Sequence, residues 1–145
     1  MSSSLAALPT LRGRLLIVDD DEEVSGYLQQ RFSGLGMECA TAANGIEAIH
    51  RLLEEAAPEV ILLDLNMPGM DGLEFLRLAQ QHIGRQFGVI TMTGCGTARR
   101  KQQVLDSGAA AMIEKPIDFA KLVRLVKIQQ AFLRTCASVR REALA

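Results

Sequence analysis

Residues Glu59 to Gly72 read EVILLDLNMPGMDG. Val60 to Leu63 and then Leu65 are apolar, and one carboxylate, Asp64, stands among them. A continuous apolar run of this kind reads as a strand buried on both faces, as in a parallel sheet. Asn66, Pro68, Gly69, Asp71 and Gly72 then supply turn chemistry. Asp64 is therefore expected at the carboxyl end of a central strand, where open α/β sheets place their ligands. A lone carboxylate is costly to bury, so a positive partner is expected beside it.

Upstream, Leu15 to Val18 is a short apolar run that ends in Asp19, Asp20 and Asp21. It reads as a first buried strand, with Asp21 placed to cap the helix that follows. That helix carries Val24, Tyr27, Leu28, Phe32 and Leu35 at spacings of three and four, and Gly34 and Gly36 stop it. Glu38 to Ala42 is less apolar and is expected near the sheet edge. Asn44-Gly45 turns into a helix expected to bury Ile46, Ile49, Leu52 and Leu53, and Pro58 ends it.

Downstream, Leu73 to His82 reads as a helix anchored by Leu73, Phe75 and Leu76. Gly88 to Thr93 is a fourth strand, broken by Gly94 and Gly96. Thr97 to Ser107 is a polar helix with little to bury, closed by Gly108. Ala109 to Glu114 is a fifth strand ending at Lys115-Pro116, and Asp118 caps a long helix that sets Leu122, Val123 and Val126 on the sheet. Alternating strands and helices predict a doubly wound parallel α/β sheet with right-handed crossovers. Five such units fit the flavodoxin-like (βα)5 strand order 2-1-3-4-5, which brings Asp19, Asp20 and Asp64 to one crevice.

The 145 residues suffice for one domain, and nearly half are apolar. The net charge of −1, with both signs interspersed, argues against direct nucleic-acid binding. Three widely spaced cysteines, Cys39, Cys95 and Cys136, form no C-x-x-C pair and read as free thiols of a reducing cytoplasm. No run approaches the ~18 apolar residues of a membrane span, and the N-terminus lacks the pattern of a secretory signal. Residues 1–13 are expected to be a disordered lead-in, 14–127 the folded domain and 128–145 a helical extension or linker.

Carboxylates from two adjacent strand ends need a cation if they are to stay ionised together. Oxygen donors without His or Cys favour a hard ion, Mg²⁺ or Mn²⁺. Lys115 is the expected cationic partner of Asp64, and Thr93 offers a hydroxyl on the same rim. A carboxylate beside a divalent cation, an ammonium group and a hydroxyl suits a phosphoryl group, with the carboxylate as nucleophile. His50 and His82 fall in helices away from this crevice, and Arg99, Arg100 and Lys101 read as a solvated helix face.

Four motifs in register, LLIVDDD, LLDLNMPGMDG, ITMTGCG and IEKP, resemble the receiver domain of response regulators, the phosphoacceptor module of bacterial two-component signalling. The resemblance covers roughly Arg14 to Val126. It implies that Asp64 accepts phosphate from a histidine kinase or histidine phosphotransfer protein, so that the chain is a phosphoacceptor rather than an enzyme. It implies direct Mg²⁺ binding by Asp20, Asp64 and the Asn66 backbone carbonyl, with Asp19 acting through water. Thr93 would bond the phosphoryl group and move on activation, Lys115 would pair with Asp64 and then with phosphate, and the bond to Pro116 would be cis. An unidentified downstream protein would read the switch.

Four positions depart from or tune that pattern. Met112 stands where the family usually carries a switch Tyr or Phe, so an aromatic switch is not available. Gly94 replaces the commoner Ala. Cys95 and Asn66 occupy positions that tune phosphoryl lifetime in the family. Two alternatives accompany the main reading: a degenerate receiver that signals without phosphate, and an aspartyl-nucleophile phosphohydrolase. Against the second, Asn66 stands where that class uses an acid. A flavin site is disfavoured because Asp19-Asp20-Asp21 would repel the cofactor's phosphate. Along the last helix, Leu125, Ile128, Phe132 and Val139 form a second apolar stripe, which points to a partner helix, to a homodimer through the C-terminal helix, or to a linker.

Overall fold

The computed structural model describes residues 10–54, 57–67, 69–82, 87–94 and 97–144. In chain order these residues form β1 (Arg14–Val18), α1 (Glu22–Gly34), β2 (Glu38–Ala42), α2 (Gly45–Glu54) and β3 (Val60–Asp64). There follow α3 (Gly72–His82), β4 (Gly88–Thr93), α4 (Ala98–Asp106), β5 (Ala111–Glu114) and α5 (Phe119–Leu144). The strands form one parallel sheet in the order β2-β1-β3-β4-β5, the flavodoxin-like order expected. The central strands β3 and β4 are buried along their whole length.

Side chains alternate across the pleat, and two apolar layers result. Leu16, Val18, Ile61 and Leu63 pack against α2, α3 and α4 through Ala48, Leu52, Phe75, Leu76 and Val104. Leu15, Ile17, Leu62, Ile90 and Met92 pack against α1 and α5 through Leu28, Phe32, Leu122, Val123 and Val126. Each of the five helices is preceded by a side chain that accepts from a backbone N–H group of its first turn. Asp21 caps α1, Asp71 caps α3, Thr97 caps α4 and Asp118 caps α5. Asn44, preceding α2, accepts from Glu47 N in the same way.

The two glycine-terminated helices close alike. At the end of α1, Gly36 at φ +109° lets its N–H reach Ser33 O and that of Met37 reach Phe32 O. Gly108, at φ +104°, repeats the arrangement after α4.

Three large side chains do not lie where the spacing put them. Tyr27, Ile46 and Leu53 are exposed. On α2 the sheet-facing positions are Gly45, Ala48 and Leu52. At its N-terminus this helix runs close to the connection between β3 and α3: a Cβ on Gly45 would lie 2.8 Å from Met70 Sδ. Ile46 and Leu53 lie about a third of a turn around the helix from these positions. On α1 the buried positions are Ser25, Leu28 and Phe32. Tyr27 lies at the margin instead, hydrogen-bonded through its hydroxyl by Arg31, whose guanidinium stacks 4.3 Å from the Phe119 ring centre.

The polar helix α4 buries Val104. Within the stretch read as a lead-in, Leu11 is buried and donates its N–H to Leu35 O. At the other end, α5 runs on past residue 127. Gln130 is buried and donates to Arg12 O at 2.7 Å, while Arg134 grips both carboxylate oxygens of Glu59 at 3.0 Å. Among the described residues no helix is long and apolar enough to cross a membrane.

Candidate functional site

The register of the sheet assembles the site. Val18 is level with Leu63, so the next residues, Asp19 and Asp64, emerge side by side. Asp64 is level with Met92, which places Thr93 one step beyond on β4. Thr93 is level with Glu114, which places Lys115 one step beyond on β5. Four short apolar strands, each ending at a polar residue, thus deliver four polar side chains to one rim.

Asp19, Asp64 and Thr93 are buried there, and Asp20 is exposed at the mouth. One carboxylate oxygen from each of Asp19, Asp20 and Asp64 lies within 4.8 Å of the others. Lys115 Nζ sits between two of them, 3.4 Å from Asp19 Oδ2 and 3.5 Å from Asp64 Oδ1. Local bonds hold the acids in place. Asp19 Oδ1 accepts from Asp21 N at 2.9 Å, and Asp64 Oδ1 accepts from Asn66 N at 3.2 Å. The Lys115 backbone N–H donates to Thr93 O at 2.8 Å, tying β5 to β4 at the rim. The Lys115-Pro116 bond is cis.

Burial pushes the Asp64 carboxyl up to about 6. The Asn66 N–H pulls against that shift, the neighbouring Asp19 adds to it, and Lys115 opposes it. Three carboxylates against one ammonium leave the rim with surplus negative charge, and the donors are all oxygen. That set fits a hard divalent cation such as Mg²⁺ or Mn²⁺ better than a soft one.

The remaining predicted residues fall around this centre. The Asn66 side chain is exposed at the end of the Asp64 strand. Met112 is half-buried on the edge strand, level with Thr91, whose hydroxyl donates to Ala111 O. Asp21 is a helix cap, as its position suggested, and His50 is exposed beside Glu54. Pro68, Cys95 and Gly96 lie outside the described residues, as does the side chain of His82.

One supporting residue had been read only as a turn former. A Cβ on Gly72 would lie 2.9 Å from both Asp64 O and Leu65 Cα, so the start of α3 presses directly on the backbone of the central carboxylate. Its signal in the sequence, a glycine following a capping aspartate, does not distinguish contact from flexibility.

The profile of the response regulator receiver domain matches residues 15–127. The chain is 35% identical over 117 residues to the DNA-binding transcriptional regulator NtrC of Escherichia coli K12, covering 80% of this chain and 24% of that protein. It is 34% identical over 114 residues to sporulation initiation phosphotransferase F of Bacillus subtilis, covering 79% of this chain and 90% of that one. The chain therefore spans about a quarter of the NtrC relatives and nearly all of the Bacillus protein. Among solved structures it is similar to a putative response regulator from Chloroflexus aurantiacus, with a TM-score of 0.77 and 30% identity over 83% of this chain and 99% of the other. It is also similar to a CheY-like receiver domain protein from Methanospirillum hungatei, with a TM-score of 0.77 and 27% identity over 86% and 98%. On its sequence profile, its relatives and its fold, the chain belongs to the response regulator receiver domain family.

Proposed function

We propose that Asp64 is the phosphoacceptor of a two-component relay in the cytoplasm, charged by a histidine kinase or a histidine phosphotransfer protein. The observation that carries this reading is the buried Asp64 carboxylate, held 3.5 Å from Lys115 Nζ among a surplus of acids. An Asp64 carboxylate oxygen attacks the phosphorus of the donor phosphohistidine. The new O–P bond forms as the N–P bond breaks, and the imidazole leaves with that electron pair and takes up a proton. Lys115, already poised at Asp64, follows the charge onto the phosphoryl oxygens, and the Thr93 hydroxyl donates to one of them.

Asp19, Asp20, Asp64 and the Asn66 backbone carbonyl would hold the Mg²⁺. When bound, that ion supplies charge neutralisation for an incoming phosphoryl group. The Asn66 carboxamide is too weak an acid and base to pass a proton to or from water, which disfavours a phosphohydrolase. In place of the family's aromatic switch, the half-buried Met112 would carry the movement of Thr93 outward to a downstream protein by repacking rather than by ring rotation.

The test is intact-protein mass after incubation with a small phosphodonor, with and without Mg²⁺, on wild type and Asp64→Asn. The expected result is a Mg²⁺-dependent gain of one phosphoryl group that the variant lacks. No gain in the wild type would favour a receiver that signals without phosphate. A gain that persists in Asp64→Asn would show that the nucleophile is another residue.

A further inference from the structure

The loop that carries Asn66 is seated on a helix that contributes no group to the site. At its base, Gly72 N–H donates to Leu65 O at 3.5 Å. Further along, Met70 lies against the first residue of α2. A Cβ on Gly45 would lie 2.8 Å from Met70 Sδ, 3.1 Å from its Cγ and 3.3 Å from its Cβ. Swinging the thioether tip aside would not clear that contact, because the root of the side chain is also close. The seat itself is firmly built. Asn44 Oδ1 accepts from Glu47 N at 2.8 Å and Glu47 Oε2 accepts from Ala43 N at 3.2 Å, a reciprocal capping box. The same turn holds the other acidic strand end, for Asp19 N donates to Ala42 O at 3.0 Å.

We infer that Gly45 is a positioning residue for the phosphoacceptor site, an inference that rests on the Mg²⁺-dependent reading of that site. Gly45 has ordinary helical backbone, so its conformation does not call for glycine, and alanine is the better helix former. What the missing side chain provides is room for Met70. The seated Met70 fixes the loop that presents the Asn66 carbonyl and the Asn66 N–H, which bonds Asp64 Oδ1 at 3.2 Å. The turn from Ala42 to Gly45 is thus one strut between the two strand ends: it holds Asp19 through the backbone and the Asp64 loop through Met70. Mg²⁺ demands near-octahedral geometry, so a cation drawing ligands from both strand ends needs their separation fixed. A methyl group at position 45 displaces the loop rather than the helix, because the capping box and the buried Ala48 and Leu52 anchor α2.

Titration calorimetry with Mg²⁺, paired with intact-protein mass after incubation with a small phosphodonor, tests this on the full chain. Gly45→Ala is expected to weaken Mg²⁺ binding about tenfold and to slow phosphoryl uptake, with far-UV circular dichroism unchanged. Met70→Ala, which unseats the loop without pushing it, is expected to weaken binding a few-fold. In the Met70→Ala background, Gly45→Ala should cost nothing further, because the Sδ and Cγ atoms it would strike are gone. The double variant therefore binds Mg²⁺ more tightly than Gly45→Ala alone, a rescue that general damage to the fold would not give. Wild-type affinity and uptake in Gly45→Ala, or losses that simply add in the double variant, would overturn the inference and leave the reading of the site standing. A wild type that binds no Mg²⁺ would overturn that reading, and this inference with it.

Discussion

The two ends of the sheet hold polar clusters of opposite temper. At the foot, Glu59 takes a bidentate grip from Arg134 and a third bond from Gln130, which also donates to Arg12 O. Acid and base balance there, and the buried amide has its partners. At the carboxyl rim, three acids face one lysine, and the most central of them, Asp64, holds its proton up to about pH 6. Satisfied clusters of this kind fix geometry. Clusters with surplus charge wait for something to neutralise them. The difference separates the structural end of this molecule from its chemical end without reference to any relative.

That contrast can be broken first at the foot. Glu59→Ala removes a bidentate ion pair and one partner of the buried Gln130 amide. It should cost about 2 kcal/mol in urea denaturation while leaving Mg²⁺ affinity unchanged. A loss of Mg²⁺ affinity would mean that the two ends are coupled through the sheet. At the rim, Gly72→Ala forces a methyl group onto the Asp64 and Leu65 backbone and should cost about 1–2 kcal/mol. Phosphoryl uptake should fall with it, because the strain lands on the nucleophile. A variant with wild-type uptake would show that α3 is free to shift. The smallest effect sharpens the contrast. Lys115→Ala deletes the only cation that the described residues bring within ion-pair distance of Asp19 and Asp64, so Mg²⁺ should bind a few-fold more tightly by titration calorimetry even as phosphoryl uptake slows. Weaker Mg²⁺ binding would mean that the lysine organises the acids rather than competing with the ion.

The sequence carried the rim better than the foot, for a physical reason. Asp19, Asp64, Thr93 and Lys115 each follow an apolar strand directly, so strand ends and parallel topology were enough to bring them together. The foot depends on Glu59 meeting residues 71 and 75 positions away. Glu, Gln and Arg are residue types that read as solvated surface in any local window. The face of α2 was misjudged for a related reason. Hydrophobic spacing weighted Ile46 and Leu53, whereas the buried positions are Gly45, Ala48 and Leu52, the first two too small to carry much hydrophobic signal. Leu11 falls in the stretch expected to be a disordered lead-in, yet it is buried and its N–H bonds Leu35 O in the turn between α1 and β2.

The central claim is that Asp64 is held at a cost in order to be neutralised by ligands. Its folded pKa lies above the unfolded value of 3.8, so the stability it contributes is complete below that value and is lost as pH rises through about 6. The most direct measurement is urea denaturation of wild type and Asp64→Asn in chelator above about pH 7, repeated with Mg²⁺. The account predicts that Asp64→Asn is the more stable without metal, by on the order of 2 kcal/mol. That advantage should shrink as pH falls from about 6 toward about 4, and Mg²⁺ should stabilise the wild type more than the variant. An Asp64→Asn protein that is less stable than wild type in chelator, or that gains equally from Mg²⁺, would contradict it.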